Sequence, residues 1–173
     1  MNTYTIRPEQ ASDQAAIREL TVEAFASLEI SKHNEQLIID ALRAQNSLTL
    51  SLVAELDNQV IGHIAFSPVT ISDGTPDWYG LGPVSVLPPL QSKGIGKALI
   101  HKGLMEVKKL GAAGCCLVGH PEYYKQFGFA NSIDLELPGV PAEVFFTLAF
   151  KNSRPRGTVA FHEAFTVDYS DKS

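Results

Sequence analysis

Gln91, Gly94, Gly96 and Lys97 carry the clearest chemical signal in the 173-residue chain. They lie in Gln91-Ser92-Lys93-Gly94-Ile95-Gly96-Lys97, between an apolar run that reads as a strand and a helix start. A strand that delivers a glycine-containing loop to a helix N-terminus makes an anion site. Free backbone N–H groups and the positive end of the helix dipole converge there, and glycine lets a phosphate come close to the backbone. Lys93, Lys97 and Lys102 add positive charge to a chain whose formal net charge is −5.

Two phosphate-binding loops do not fit. A P-loop needs a glycine further upstream and a Ser or Thr after the lysine, but Gln91 and Ala98 stand there. A dinucleotide fold wants a third glycine where Leu99 stands, and an acidic residue further on, near Cys115-Cys116. The remaining pattern, Gln/Arg-x-x-Gly-x-Gly/Ala after a strand, is met by Gln91 to Gly96. It resembles the loop of the GCN5-related N-acetyltransferase (GNAT) family, which holds the pyrophosphate of acetyl-coenzyme A. A second signature follows at the family's distance: Tyr124-Lys125-Gln126-Phe127-Gly128-Phe129 matches Tyr-x-x-x-Gly-Phe. The wording from Gly119-His120-Pro121 through Tyr123-Tyr124 to Phe129 is similar to the YhbS-like branch of these acetyltransferases.

The resemblance implies an α/β (α+β) GNAT fold, with a central, mostly antiparallel sheet, one splayed parallel strand pair and flanking helices. It implies transfer of the acetyl group of acetyl-CoA to a primary amine by direct attack, without an acyl-enzyme. Tyr124 would protonate the departing thiolate. The backbone of Val84, Ser85 and Val86 would pair with the pantetheine arm, with one N–H there holding the oxyanion. Gln91, Ser92, Lys93, Gly94, Ile95, Gly96 and Lys97 would hold the pyrophosphate. Tyr123 reads as packing. Many members carry Asn after the fifth strand, where this chain has Gly119-His120. The general base is therefore open among His120, His63, Ser85, Asp77 and water. A non-catalytic acyl-CoA-binding regulator is the competing class, and Tyr124 argues against it. An enzyme of nucleoside triphosphates or dinucleotides is a third. No metal ligand set is assigned.

These residues need a scaffold. Thr3 to Arg7 alternates as a strand ended by Pro8, and Ser12 or Asp13 can cap a helix with the stripe Ile17, Leu20, Ala24, Phe25 and Leu28. A polar link, Glu29 to Asn34, leads to a second helix with Leu37, Ile38, Ala41 and Leu42 on one side. In the resembled family this helix pair lines the acceptor site. Leu48 to Ala54 and Val60 to Ile71 form a hairpin about Asp57-Asn58-Gln59. After the turn at Ser72 to Asp77, Trp78 to Leu87 is the fourth strand, and Gly82-Pro83 within it predicts a bulge or a splayed edge. The next helix carries Gly96, Leu99, Ile100, Gly103, Val107 and Leu110 on one stripe and ends at Gly111 to Gly114. The strand Cys115 to Val118 then pairs parallel with Trp78–Leu87. A short helix at Glu122 to Gln126, a stretch with two prolines at Leu135 to Pro141, an apolar segment at Glu143–Phe150 that suits a strand or a helix, and a strand at Thr158–Val167 complete the chain, with a frayed tail at Asp168 to Ser173.

Length and composition suit a single domain over residues 1–173 with a proper core. No run of about 18 apolar residues predicts a membrane span, and the N-terminus lacks a signal-peptide pattern. The acidic balance argues against a general nucleic-acid binder. Cys115 and Cys116 read as two reduced, buried thiols of a cytoplasmic protein. The amine acceptor, small molecule or protein, is the expected partner. Dimers are common in the resembled family, so a homodimer is an open partner as well.

Overall fold

The computed structural model describes residues 3–29 and 31–167. Its strands are β1 (Thr5–Pro8), β2 (Leu50–Leu56), β3 (Gln59–Ile71), β4 (Trp78–Val86), β5 (Gly114–Val118), β6 (Leu135–Glu136), β7 (Phe145–Ala149) and β8 (Gly157–Phe161). Its helices are α1 (Gln14–Phe25), α2 (Glu35–Ala44), α3 (Ile95–Lys109) and the single turn α4 (Pro121–Tyr124). The sheet runs β1-β2-β3-β4-β5-β7, and β8 pairs with the far end of β3 and with β6. Among the described residues no helix is long and apolar enough to cross a membrane.

The neighbours β1 to β4 pair antiparallel, as does β5 with β7, while β4 and β5 run parallel. That parallel pair lasts only from Trp78–Gly114 to Gly80–Cys116, so the two strands splay apart after Gly80. The Gly82-Pro83 expectation is met in the register. On β3, Ile64 and Phe66 face Val84 and Leu81, so two residues of β4, Gly82 and Pro83, oppose one of β3. A second parallel pair, β6 with β8, is two residues long and was not anticipated.

Alternation along β3 divides the core. Ile64 and Phe66 pack with Leu99, Ile100, Leu104 and Val107 of α3. The opposite face takes α1 and α2 through Ile17, Ile39 and Val53. Gly103 lets α3 lie close, because a Cβ there would sit 2.6 Å from the Phe66 ring. Cys115 and Cys116 obey the same alternation. Cys115 joins the α3 side, and Cys116 joins a second cluster with Trp78, Phe145 and Val159. The two thiols therefore point to opposite faces and cannot meet. Burial pushes both upward, Cys116 to about 12. Native protein is expected to leave both thiols unmodified by an aromatic disulfide reagent at pH 8, with full reaction only in denaturant; rapid labelling of folded protein would contradict this.

Several boundaries differ from the sequence reading for local reasons. Pro8 ends β1 as a paired residue opposite Leu52, which an edge strand tolerates. Asp13 stands at the N-cap position of α1, but its side chain caps the preceding 3-10 turn instead: it is buried, accepts the Gln10 N–H at 2.7 Å in a capping box and binds Arg7 at 2.7 Å. The Arg7 guanidinium holds its carboxyl below the usual range. Leu28 lies past the end of α1 and is 44% exposed. Leu48 precedes β2. The last strand stops at Phe161, where His162 Nδ1 accepts the Ala164 N–H at 3.0 Å and turns residues Glu163–Thr166 into a 3-10 segment. The expected frayed tail, Asp168 to Ser173, lies outside the described residues.

His63 is fully buried on the α1/α2 side of β3, 2.8 Å from Ser51 Oγ through Nε2. Ser51 donates its own proton to Glu9 at 2.7 Å, and Glu9 is held by Arg43. His63 Nε2 must then carry the hydrogen, which leaves Nδ1 as an acceptor with no partner. Protonating it would bury a charge, so desolvation pushes the imidazole down to about 4, with Glu9 opposing only in part. Unfolded chain takes up that proton near pH 6.5, whereas folded chain does not until about pH 4. Between these values the unfolded state holds more protons, so stability falls as the pH falls. Chemical denaturation from pH 7 to 4 is expected to show a loss of about 3 kcal/mol from this residue that His63→Gln lacks. Equal pH slopes in the two proteins would refute it.

Candidate active site

The loop before α3 forms one wall of a cavity of about 440 Å³. Gln91, Ser92, Gly94, Gly96 and Lys97 line it, with Val84 and Val86 of β4 opposite Tyr123, Tyr124 and Gln126. Gly94 is the N-cap of α3 at φ +88°, a left-handed conformation that glycine adopts without strain. No side chain caps the helix, so its first-turn N–H groups stay open to an anion. Lys93 and Ile95 do not line this cavity. Lys93 is exposed, and Ile95 turns into the core under α3.

The splay exposes one edge of β4. The Leu87 N–H donates to Ile61 C=O at 2.9 Å, which makes 61/87 a hydrogen-bonded pair. Two residues back, Ser85 opposite His63 faces β3 in the same way. Val84 and Val86 therefore direct their backbone groups away from β3, into the edge that β5 has left. The Gln91 side chain already uses that edge, donating from Nε2 to Val86 C=O at 2.9 Å. Ser85 is not brought to the cavity: its side chain is buried on the His63 side, its hydroxyl is unpartnered, and its backbone is turned to β3.

Tyr124 closes the C-terminal turn of α4. Its ring meets Tyr123 edge-on at 5.0 Å and Phe129 at 6.2 Å. Gly119 is what admits it, since a Cβ there would lie 2.3 Å from Tyr124 Cε2. Burial, with Tyr123 adding to it, pushes the phenol up to about 12, so it stays a proton donor through the neutral range. Tyr123 is raised by burial as well, and it lines the same cavity instead of only packing beneath it.

A second cavity of about 540 Å³ lies beyond Tyr124. Phe25, Lys32, Glu35 and Ile38 come from α1, α2 and their link. Gly80 to Val84, Val118, Leu137, Val140, Phe161 and Phe165 complete it. Val84 and Tyr124 line both cavities. The two spaces thus meet at a free strand edge and a phenol. Neither cavity is lined by His63, Ser85, Asp77 or His120. Glu35 and the C-terminal aromatics escaped the sequence reading. Glu35 follows the polar link Glu29 to Asn34 as an ordinary charge at a helix start, and Phe161 and Phe165 read as residues of one final strand.

A model of the GNAT acetyltransferase family matches residues 14–129. The Escherichia coli protein named uncharacterized N-acetyltransferase YhbS is 34% identical over 109 residues, which span 62% of this chain and 65% of that protein, just under two thirds of its length. Among solved structures, a GNAT family acetyltransferase from Brucella melitensis in complex with acetyl-CoA is 48% identical, with a TM-score of 0.85 over 95% of this chain and 99% of that one. E. coli YhbS in complex with CoA is 30% identical, with a TM-score of 0.86 over 96% and 94%.

Proposed function

The chain belongs to the GNAT acetyltransferase family, and from that premise we propose that it acts as a single N-acetyltransferase domain. Acetyl-CoA donates its acetyl group directly to a primary amine of a small molecule or protein. The observation that carries this is the meeting of two cavities at Val84 and Tyr124. The relatives solved with acetyl-CoA and CoA support the donor.

In this reading the diphosphate rests on Gln91, Ser92, Gly94, Gly96 and Lys97, with the α3 dipole favouring its charge. Lys93 adds long-range attraction from the surface, and Ile95 anchors the loop from below. The pantetheine arm extends along the open edge of β4 and takes the Val84 and Val86 backbone groups as a further strand would. Gln91 must release Val86 C=O when the arm arrives. The neutral amine nitrogen enters from the second cavity and attacks the thioester carbonyl carbon. The C–N bond forms, the carbonyl becomes an oxyanion, and the Val84 N–H at the open edge donates to it. The C–S bond then breaks. Nitrogen loses one proton and sulfur gains one, so the step balances without an oxidant or reductant. Water is the carrier of the amine's proton in this scheme, because none of the side chains considered as base from the sequence lines the acceptor cavity.

The phenol at about 12 lies above a thiol near 8.5. Outright transfer of its proton to the thiolate is uphill, so Tyr124 serves chiefly as a hydrogen-bond donor to sulfur as charge develops there. The opposed, buried thiols support a reducing compartment, the cytoplasm. Thiol release from acetyl-CoA with a panel of amines tests the reading. Amine-dependent release with matching acetylated product supports it. CoA binding without turnover on any amine would make the protein a binder.

A further inference from the structure

The second cavity specifies more than an amine. Its volume of about 540 Å³ falls in the range of small-molecule sites. Among the described residues, the titratable side chains that line it apart from Tyr124 are Lys32 and Glu35, whose charges cancel. The walls are otherwise apolar: Phe25 and Ile38 on the helix side, Leu137, Val140, Phe161 and Phe165 on the C-terminal side. Phe161 and Phe165 stand with ring centroids 5.3 Å apart, a broad aromatic surface. Glu35 opens α2, and both of its carboxylate oxygens accept from Ser31 Oγ, one of them at 2.9 Å, which fixes its direction.

We propose that the acceptor is a primary monoamine on an extended apolar body, its ammonium drawn in by Glu35 and its body held by the aromatic wall; this rests on the acetyl-transfer reading above. One cation finds one carboxylate. A second ammonium, as in a polyamine or an aminosugar, would be set against apolar walls or against Lys32, and an unpaired charge taken out of water is strongly disfavoured. Glu35 lies outside the donor cavity, so it bears on the acceptor and not on acetyl-CoA.

The test is a series of straight-chain amines from butylamine to octylamine, with spermidine and a lysine peptide alongside. Binding is followed by calorimetry on the CoA-loaded protein, and turnover is followed separately with acetyl-CoA. The dissociation constant is expected to fall about fourfold per added methylene until the cavity is full, and spermidine to bind at least about 100-fold more weakly than octylamine. Glu35→Gln should weaken octylamine about tenfold while leaving 1-octanol and acetyl-CoA binding unmoved. A flat series, a preference for spermidine or the peptide, no amine binding at all, or an equal loss for octylamine and octanol in Glu35→Gln would overturn the inference. If the stepwise gain in binding is seen but no amine is acetylated, acetyl transfer fails and the cavity assignment stands.

Discussion

Tyr124→Phe is expected to lower kcat by about 10²-fold or more, the range that one positioned hydrogen-bond donor to developing charge contributes. The dissociation constant of acetyl-CoA should stay within about threefold of wild type, since the interaction lost is one made in the transition state. Phenylalanine keeps the ring, and with it the contacts to Tyr123 and Phe129 and the fit over Gly119. Only the hydroxyl at the junction of the two cavities is lost. The same geometry predicts the pH profile of the wild-type enzyme. With the phenol at about 12, the donor is intact across the working range, so the rate should climb with pH as the amine, near 10.4 when unperturbed, loses its proton. No alkaline limb should appear below about pH 11 from Tyr124 itself. Steady-state kinetics across pH, paired with calorimetry of CoA, checks both statements. An unchanged kcat in Tyr124→Phe removes the residue from the chemistry.

The second large effect concerns the loop. Gly94→Val is expected to raise the dissociation constant of acetyl-CoA at least 100-fold, equivalent to about 2.7 kcal/mol. Two causes act together. At φ +88° a β-branched residue is a steric outlier, so the loop must distort. A Cβ on Gly94 would meet no protein atom within 4 Å, so the added side chain enters open space at the cavity that Gly94 lines. Because it displaces nothing, the fold should survive, with backbone strain of about 1–3 kcal/mol visible as a lower melting temperature. Gly94→Ala, carrying one methyl group at the same φ, should fall between wild type and valine in both measurements. Wild-type affinity in a folded valine variant would remove the loop from diphosphate binding.

The donor half of the site was legible in the sequence because its parts are local. Val84, Val86, Gln91, Ser92, Gly94, Gly96 and Lys97 line the first cavity and fall within 14 consecutive positions, where strand, break, glycine and helix start follow one another; Ser85, Lys93 and Ile95, named with them, do not line it. The order of elements gave the parallel pairing of β4 with β5, and Gly82-Pro83 gave the bulge. Of the second cavity only the helix pair was legible, through the family resemblance. Its individual residues were not: Phe25, Glu35, Leu137 and Phe161 come from across the length of the chain, and each looks ordinary where it stands. Local pattern also failed where a side chain redirected the backbone, as His162 does after β8. Two of the base candidates, His63 and Ser85, are buried opposite one another on β3 and β4 and line neither cavity, a placement that residue type alone does not reveal.

The pairing of β8 with the outer end of β3 has a further consequence for how such a protein can diversify. It brings Phe161 beside Gly80 and carries Phe165 behind it, so a late stretch of chain walls the second cavity, the proposed acceptor space. The first cavity, the proposed cofactor space, draws among the described residues on positions 84–126. On the proposed function, mutations that retune selectivity can accumulate in the terminal third of the polypeptide without touching the grip on acetyl-CoA. Donor chemistry and acceptor choice then become separately heritable traits, coupled through Val84 and Tyr124.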